Sequence, residues 1–356
     1  MTSAARAGRL KRWFGQPPRW LSFLAGGVPP ILVFPAPGLS YLAWFALVPG
    51  MVLFTRAASA REATARGWWF GAGYLIAMLY WMAPEIGPGL VLLGAVFGGL
   101  YAPFAVSVRA LLRPPVSFRP ALAALIVVPS CWLLPEWVRS YQGLGGPWAL
   151  YGASQWQHPA VLALAAIGGV WLVTVALVMA NVAIIIAGGA LLAPAGPGNA
   201  RRWALPACGL AALAAAAGSG PLAFALTSPF PAGRTVTVAL VQPGVVDSPA
   251  ARADATETLT RDTSRDHPFG GKDLDLIVWG ESSIDKDLTL PSARPLLRRI
   301  EGLSAEDGAE ILVSQDATPP GKGHEKWGVL VAPSGIKGIY VKTRLVPFGE
   351  YIPFRQ

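Results

Sequence analysis

Two short stretches near the end of the chain carry residue types that can act together in acyl chemistry. Glu281 follows the apolar run 276–279, and Lys342 follows the apolar run 338–341. A carboxylate at the end of a buried strand, packed against Trp279, would be desolvated, which suits a general base. A lysine ammonium at a strand end can stabilise a developing oxyanion by its charge. The two stretches predict a catalytic pair, and the alternative is that Lys342 is an ordinary solvated lysine.

Acyl transfer through a covalent intermediate also needs a nucleophile, and none is evident beside this pair. The serines that follow Glu281 have no obvious histidine partner. The two cysteines, Cys131 and Cys208, both precede the pair and lie in apolar runs, as is typical of small buried residues. Neither cysteine has neighbours that suggest a disulfide or a metal site. We therefore expect no metal and no cofactor.

The charge distribution divides the chain into two parts of different physical character. Residues 1–233 contain 14 Lys and Arg but three acidic residues, whereas residues 234–356 contain 15 basic and 17 acidic residues. The whole chain is 14% charged and 53% hydrophobic, while soluble domains carry about 25% charged residues. The positive charges lie in short loops and form no continuous basic face, which argues against nucleic-acid binding. The composition of residues 1–233 is typical of a membrane domain, and that of residues 234–356 is typical of a domain in water.

Residues 1–233 contain seven apolar runs, each close to the length that a bilayer-spanning helix requires. The runs are 20–36, 39–54, 67–83, 89–108, 121–138, 160–190 and 203–226. The sixth is long enough to span with a tilt, or with a kink at Gly168 and Gly169. No signal-peptide cleavage motif follows the first run, so we interpret it as a span. The sequence predicts a membrane domain with about seven transmembrane helices.

Basic residues in the loops predict the orientation of these spans. The N-terminus and the loops after the second, fourth and sixth runs contain 13 Lys and Arg, and the alternate loops contain one, Arg139. This asymmetry predicts a cytoplasmic N-terminus. An odd number of spans then places residues 234–356 on the outer side of the membrane.

The outer loop around residues 146–158 is rich in aromatic residues, among them Trp148 and Tyr151. These residues are typical of an aromatic belt at the membrane interface. A groove through which lipid enters is the sharper alternative. Glu136 and Arg139 stand three residues apart at a helix end, where they can form an ion pair.

Residues 234–356 show the pattern of an α/β layered domain. Apolar runs predict strands at 235–241, 275–280 and 310–314, and a hairpin formed by 327–332 and 338–341. Helices are predicted at 250–265 and 292–303.

The run KTRLVPFGEYIP at residues 342–353 closely resembles the lysine loop of the apolipoprotein N-acyltransferase family. That family consists of bacterial membrane-bound members of the nitrilase (carbon–nitrogen hydrolase) superfamily. The run LIVWGES at 276–282 resembles its glutamate strand, and VALVQ at 238–242 resembles its first nitrilase strand. Segments 70–81 and 146–155 resemble its membrane part. The resemblance implies a multi-span α-helical membrane domain followed, at 234–356, by the N-terminal half of a nitrilase-like αββα sandwich.

The resemblance implies a Glu–Lys–Cys triad. Glu281 matches the base, Lys342 the oxyanion-stabilising lysine and Glu350 a further glutamate near the site. Candidates for lipid or substrate contact are Trp148, Tyr151 and Trp279. The family's cysteine and last helix lie downstream of the matched positions, so we expect a C-terminally truncated chain that is inactive alone. Gly280 departs from the family's usual proline, and no tryptophan lies between Gln242 and Trp279, where the family often has one soon after the first strand.

In the family, the cysteine takes an acyl chain from a phospholipid as a thioester. The chain then passes to the α-amino group of the diacylglyceryl-cysteine of a lipoprotein. The implied partners are these two lipid substrates, and the implied location is the bacterial inner membrane. Two alternatives remain. One is an inactive membrane partner or anchor, for example for a polyprenol-phosphate mannose synthase. The other is a membrane-bound amidase of the nitrilase type.

Overall fold

The computed structural model describes residues 17–141, 146–191, 203–227, 233–246, 248–266, 274–317, 323, 325–346 and 350. Backbone contacts divide the chain into two compact units, Met1–Pro229 and Phe230–Gln356. The charge distribution changes character close to the same point, between residues 233 and 234.

The described part of the first unit is helical. Its longer helices are α1 (Trp20–Ile31), α2 (Val48–Thr55), α3 (Ala60–Met78), α4 (Gly89–Gly98), α5 (Ala102–Leu112), α6 (Phe118–Arg139), α7 (Ala165–Leu191) and α8 (Ala204–Leu226). Short helical turns connect them at Ser40–Trp44, Tyr80–Met82, Ala83–Ile86, Gly99–Tyr101, Tyr151–Gln155 and Pro159–Leu162.

Within the described residues, four helices are long and apolar enough to cross a membrane, which indicates a membrane protein. They are Gly89–Leu112 (α4 and α5 joined by a 3-10 turn), Phe118–Arg139, Ala165–Gly189 and Ala204–Leu226. They coincide with the last four predicted spans.

The first three predicted spans differ from the helices that form. Runs 20–36 and 39–54 give only the shorter apolar helices Trp20–Ile31 and Ser40–Thr55. The third run ends early, because α3 stops at Met78, and α3 also begins seven residues before the run, at Ala60. A total of seven spans stays a prediction.

Helix α7 contains the predicted kink. Gly168 has φ −139° and ψ 24°, and Gly169 has φ +64°, so the backbone leaves helical geometry at both residues. A positive φ is strained for residues with a Cβ atom, which is why glycine suits this bend. The predicted kink is confirmed.

Helices α1 and α3 approach each other closely through glycine. A Cβ atom added to Gly26 would lie 2.1 Å from the carbonyl oxygen of Phe70, and one added to Gly73 would lie 2.1 Å from that of Phe23. Small residues at such crossings let helix backbones pack directly, as is common between membrane helices. Gly26 and Gly73 therefore allow the close approach of this helix pair.

An aromatic cluster fills the centre of the first unit around Trp132 on α6, whose side chain is fully buried. The rings that contact it, with centroid distances of 5.0 to 6.2 Å, belong to Phe70, Tyr74, Tyr101, Phe104 and Tyr151. Most of these pairs meet edge to face, the arrangement that ring quadrupoles favour.

The second unit contains one mixed five-stranded sheet in its described residues, with strand order β1-β2-β3-β4-β5. The strands are β1 (Val238–Val241), β2 (Leu276–Trp279), β3 (Glu310–Ala317), β4 (Glu325–Ala332) and β5 (Gly335–Val341). Strands β1, β2 and β3 pair in parallel, and β3, β4 and β5 pair antiparallel. The predicted hairpin is confirmed.

Two helices, α9 (Pro249–Asp266) and α10 (Arg294–Asp307), cover one face of this sheet. Ile300 and Leu303 of α10 join the buried core that includes Ile277 and Ile311. On the opposite face Leu240 is 80% exposed, and the neighbouring apolar side chains of β2, β3 and β4 are half-buried. The fold is an α/β layer, and the second layer of a nitrilase-like sandwich stays an expectation.

Candidate active site

The three residues predicted to form a catalytic group meet at one end of the sheet. Lys342 Nζ lies 3.0 Å from Glu281 Oε1 and 2.7 Å from Glu350 Oε1. Glu281 follows β2 and Lys342 follows β5, so two intervening strands separate their attachment points. The backbone N–H of Lys342 donates to the carbonyl oxygen of Lys326 at 2.8 Å, which fixes Lys342 beside the start of β4.

Glu350 is held in place through both carboxylate oxygens. Its Oε1 accepts from Lys342, and its Oε2 accepts from the backbone N–H of Val346 at 2.6 Å. The side chain is 11% exposed. Burial disfavours its charged form, but the hydrogen bonds from Lys342 and Val346 outweigh burial and lower the pKa of Glu350.

The Lys342 ammonium is stabilised by its two acidic neighbours. Partial burial disfavours the charge, yet the hydrogen bonds to Glu350 and Glu281 outweigh it and raise the pKa of Lys342. The lysine therefore stays a cation throughout the neutral range, as an oxyanion-stabilising group requires.

The sequence led us to expect Glu281 packed and desolvated against Trp279. The structure contradicts this expectation. Its side chain is 61% exposed, whereas Trp279 is 2% exposed and lies in the core that contains Ile277. The difference arises because β2 ends at Trp279, whose side chain lies on the helix-covered face, whereas Glu281 lies beyond the strand end, next to the Ser282 turn. The surroundings of Glu281 are ionic and open to solvent. As a substrate contact, Trp279 stays a prediction.

Two further charged residues extend the cluster, and the sequence analysis missed both. Lys326 Nζ lies 3.2 Å from Asp316 Oδ1, 3.8 Å from Glu350 Oε1 and 3.9 Å from Glu281 Oε1. Asp316 and Lys326 face each other because β3 and β4 pair in that register. Because the predicted third strand ended at residue 314, Asp316 was not assigned to the sheet. A longer alternating pattern through Ala317 was the available signal.

Ser282, directly after Glu281, has an unusual backbone conformation with φ +52°. Its N–H donates to Ser314 Oγ at 3.1 Å, and its carbonyl oxygen accepts from Arg252 at 2.9 Å. Its hydroxyl donates to Asp316 Oδ1 at 3.2 Å and accepts from Lys326 Nζ at 2.5 Å. A left-handed serine is strained, and such residues are found where neighbouring contacts hold a functional side chain.

A cavity of about 240 Å³ adjoins Glu281. Its lining combines backbone of the β1–α9 loop with polar side chains, and it includes Gln242, Gly244, Arg252, Thr256, Glu281 and Ser283. Glu281 lines this cavity and also binds Lys342, so a group in the cavity lies next to the Glu281–Lys342 pair.

The predicted groove residues of the first unit have different environments. Tyr151 is fully buried, and its hydroxyl donates to the carbonyl oxygen of Ala43 at 2.7 Å. Trp148 is 43% exposed and packs edge to face on Trp81, with ring centroids 5.3 Å apart. Tyr151 acts as a packing residue here, while Trp148 is accessible. A lipid groove at these residues stays a prediction.

Glu136 and Arg139 bind separate partners rather than each other. The Glu136 carboxylate accepts from Trp132 Nε1 at 2.9 Å and from the Tyr151 N–H at 2.7 Å. Arg139 donates to the carbonyl oxygen of Trp148 at 2.8 Å. These contacts tie the loop at residues 146–158 to α6. They also give both charged groups the polar partners that charges within membrane helices need.

The described residues contain no group of three or more His, Cys, Asp or Glu arranged to hold a metal ion. Cys131 lies on α6 and Cys208 on α8, and both thiols are free. The charged cluster of the second unit is thus built from carboxylates, ammonium groups and serine hydroxyls.

Together these features define a helical membrane protein that carries an α/β unit with an acidic–lysine cluster. A family model described as the apolipoprotein N-acyltransferase N-terminal domain matches residues 26–183. An apolipoprotein N-acyltransferase of Pseudomonas syringae pv. tomato is 31% identical over 97% of this chain and 68% of its own length. The chain belongs to the apolipoprotein N-acyltransferase family.

Other relatives carry the same name. That of Allorhizobium ampelinum is 31% identical over 83% of the chain, and that of Pseudomonas putida is 28% identical over 97%. These matches span 56% and 68% of the two relatives' lengths. The chain therefore corresponds to between half and about two thirds of these relatives.

Proposed function

We propose that the gene product to which this chain belongs transfers an acyl chain from a phospholipid to the N-terminal diacylglyceryl-cysteine of apolipoproteins. The observation that carries the proposal is the convergence of Glu281, Lys342 and Glu350, with Lys342 Nζ 3.0 and 2.7 Å from the two carboxylates. These are the three positions to which the family resemblance assigns the base, the cation and the further glutamate.

Lys342 stabilises the negative charge that develops on the substrate's carbonyl oxygen during acyl transfer. Both carboxylates keep its amine protonated, and the ammonium is a fixed positive charge that needs no reorganisation during the reaction. The side chain is 33% exposed, so a substrate can approach the lysine from solvent.

Glu281 acts as the proton carrier. Its exposed carboxylate first takes the proton of the thiol that attacks the phospholipid ester, and then returns it to the departing glycerol oxygen. In the second half-reaction it takes a proton from the attacking α-amino group and returns it to the thiolate that leaves. Each half-reaction thus restores the starting protonation state.

Glu350 holds the lysine in position and keeps its amine protonated, and it transfers no proton itself. Its carboxylate accepts hydrogen bonds from Lys342 Nζ and from the Val346 N–H and so links these two residues. The thiol nucleophile that the resemblance implies is absent between Cys208 and Gln356. The chain spans 56% of the length of the Allorhizobium relative, and the proposal concerns a protein of that full length.

The same proposal includes a location in the bacterial cell membrane, with a cytoplasmic N-terminus and residues 234–356 outside. It is supported by the four apolar helices and by the excess of basic residues in alternate loops. Both substrates carry acyl chains, so a membrane-resident enzyme meets them without extracting them from the bilayer.

The test uses the purified gene product in phospholipid vesicles whose lipids carry deuterated acyl chains. A synthetic diacylglyceryl-cysteine lipopeptide serves as acceptor, and mass spectrometry follows its mass. We expect the lipopeptide to gain one deuterated acyl group, and E281A to reduce the rate at least about 100-fold because it removes the general base.

Two outcomes would contradict the proposal. If the wild-type protein releases ammonia from small amides and leaves the lipopeptide unchanged, the protein is an amidase. If it acylates nothing and hydrolyses nothing, a non-catalytic membrane partner becomes the better account.

A further inference from the structure

Lys326 on β4 is a second lysine inside the cluster, and the proposed chemistry gives it no role. Its side chain is 13% exposed, compared with 33% for Lys342. Its Nζ donates to Ser282 Oγ at 2.5 Å and lies 3.2 Å from Asp316 Oδ1. Lys326 thus lies beneath the exposed Glu281–Lys342 pair, where it cannot meet a substrate as readily as Lys342 does.

The ammonium group of Lys326 stabilises the negative charges of the carboxylates around it. Within the described part of the cluster, the carboxylates of Glu281, Asp316 and Glu350 all lie within 3.9 Å of its Nζ. Lys342 contacts two of these carboxylates, Glu281 and Glu350. Without Lys326, the three carboxylates would lose an ammonium that they share, and like charges at such distances repel when partly desolvated.

Ser282 provides the mechanical link from Lys326 to the base. The strained φ of +52° persists only if surrounding contacts outweigh its cost. Lys326 and Asp316 hold the hydroxyl, while Ser314 and Arg252 hold the backbone. Since Ser282 follows Glu281 directly, its conformation sets the direction in which the Glu281 side chain leaves the backbone.

We propose that Lys326 is a positioning residue, which holds the strained Ser282 turn and thereby keeps the Glu281 carboxylate on Lys342. Its kinetic consequence rests on the proposed acyl transfer, but its structural consequence does not. Removing the ammonium takes away one of the two contacts that hold the Ser282 hydroxyl, and repulsion from Asp316 and Glu350 turns Glu281 toward solvent. The base is then misplaced, while the other residues that line the cavity beside Glu281 are unchanged.

The kinetic arm of the test compares K326M with K337M in the whole gene product, using the lipopeptide assay. Lys337 is a 61% exposed lysine of β5 paired with Glu310, outside the cluster. We expect K326M to lower kcat about 10- to 100-fold, as for a misplaced catalytic group, with KM within about twofold of wild type. K337M should leave both constants unchanged.

A double substitution separates positioning through Ser282 from a direct effect. S282A removes the hydroxyl that Lys326 holds, so K326M/S282A should be no slower than the slower single variant. Losses that multiply would overturn the link through Ser282. A K326M effect confined to KM, or no effect on kcat, would overturn the positioning role itself.

The structural arm is independent of activity. Hydrogen–deuterium exchange measured on the same proteins should show faster exchange of the Ser282 and Ile284 amides in K326M than in K337M or wild type, because both amides donate to Ser314. Unchanged exchange would contradict the inference even if acyl transfer is confirmed. If the wild-type protein transfers no acyl group, the proposed function fails. The exchange measurement by itself then decides whether Lys326 holds the Ser282 turn.

Discussion

The properties of Lys342 come from its two carboxylate partners and not from burial. One third of its side chain is exposed, so solvent screens the cluster and each ion pair alone stabilises the fold little. The value of the arrangement lies in geometry, since Glu350 fixes the lysine from the loop side and Glu281 reaches it from β2. One lysine thereby links two parts of the sheet that are distant in sequence.

The Glu350–Lys342 pair makes stability depend on pH in a defined window. The pKa of Glu350 is lowered on folding, so its contribution is present above the ordinary glutamate range and lost as the pH falls through the lower folded value. The pKa of Lys342 is raised, so its contribution is present below the ordinary lysine range and lost as the pH rises through the higher folded value. The pair is intact from about pH 5 to pH 10.

We expect E350Q to lower the stability of the protein by about 1 kcal/mol within that window, because it removes a charge-assisted hydrogen bond to a partly exposed lysine. The difference from wild type should shrink below about pH 4. Thermal unfolding followed by fluorescence across pH measures both effects. E306Q is the control, since Glu306 is 57% exposed and pairs with Arg261 outside the cluster. A deficit that persists unchanged at acid pH would contradict this assignment.

At the scale of elements, alternation and turn residues predicted the strands of the second unit well. Apolar runs marked β2 and β5, and the residues that follow them were the predicted catalytic pair. Register was not predictable, because it depends on how β3 and β4 align across residues 318–324. That alignment brings Asp316 to Lys326. The exposure of Glu281 was missed for a related reason, since it depends on the Ser282 turn rather than on the run of strand residues.

The helices of the first unit make a prediction about packing. G73A should destabilise the protein, because its Cβ would lie 2.1 Å from the carbonyl oxygen of Phe23 and force α1 and α3 apart. Overpacking of this kind costs about 1–3 kcal/mol. G218A is the matched control, a glycine within α8 with no atom within 4 Å of an added Cβ. Thermal unfolding in detergent should show a lower midpoint for G73A, and equal midpoints would refute the close crossing.

At the scale of the molecule, two charge regimes correspond to two compact units. The first holds the apolar helices, and the second holds 17 of the 20 acidic residues. Loop charges that favour a cytoplasmic N-terminus would place the acidic–lysine cluster outside the cell membrane. This orientation stays a prediction, and it rests on a count of basic residues and not on packing.

Reporter fusions test the orientation. A reporter that is active only outside the cytoplasm should be active when fused at residue 240 and silent when fused at residue 60. A cytoplasm-dependent reporter should give the reverse pattern at the same two positions. Activity of the first reporter at residue 60 would show that the loop charges were misread.

The measurement that tests the account most directly is the acylation rate of K342A relative to K337A, in the whole gene product with phospholipid donor and diacylglyceryl lipopeptide acceptor. Both variants lose a lysine of the second unit, but only Lys342 contacts Glu281 and Glu350. In the proposed mechanism Lys342 supplies the charge that stabilises the oxyanion, so the K342A rate should fall to about 1% of the K337A rate or below. If K342A instead acylates the lipopeptide at a rate within about threefold of the K337A rate, the acidic–lysine cluster is not the site of acyl transfer.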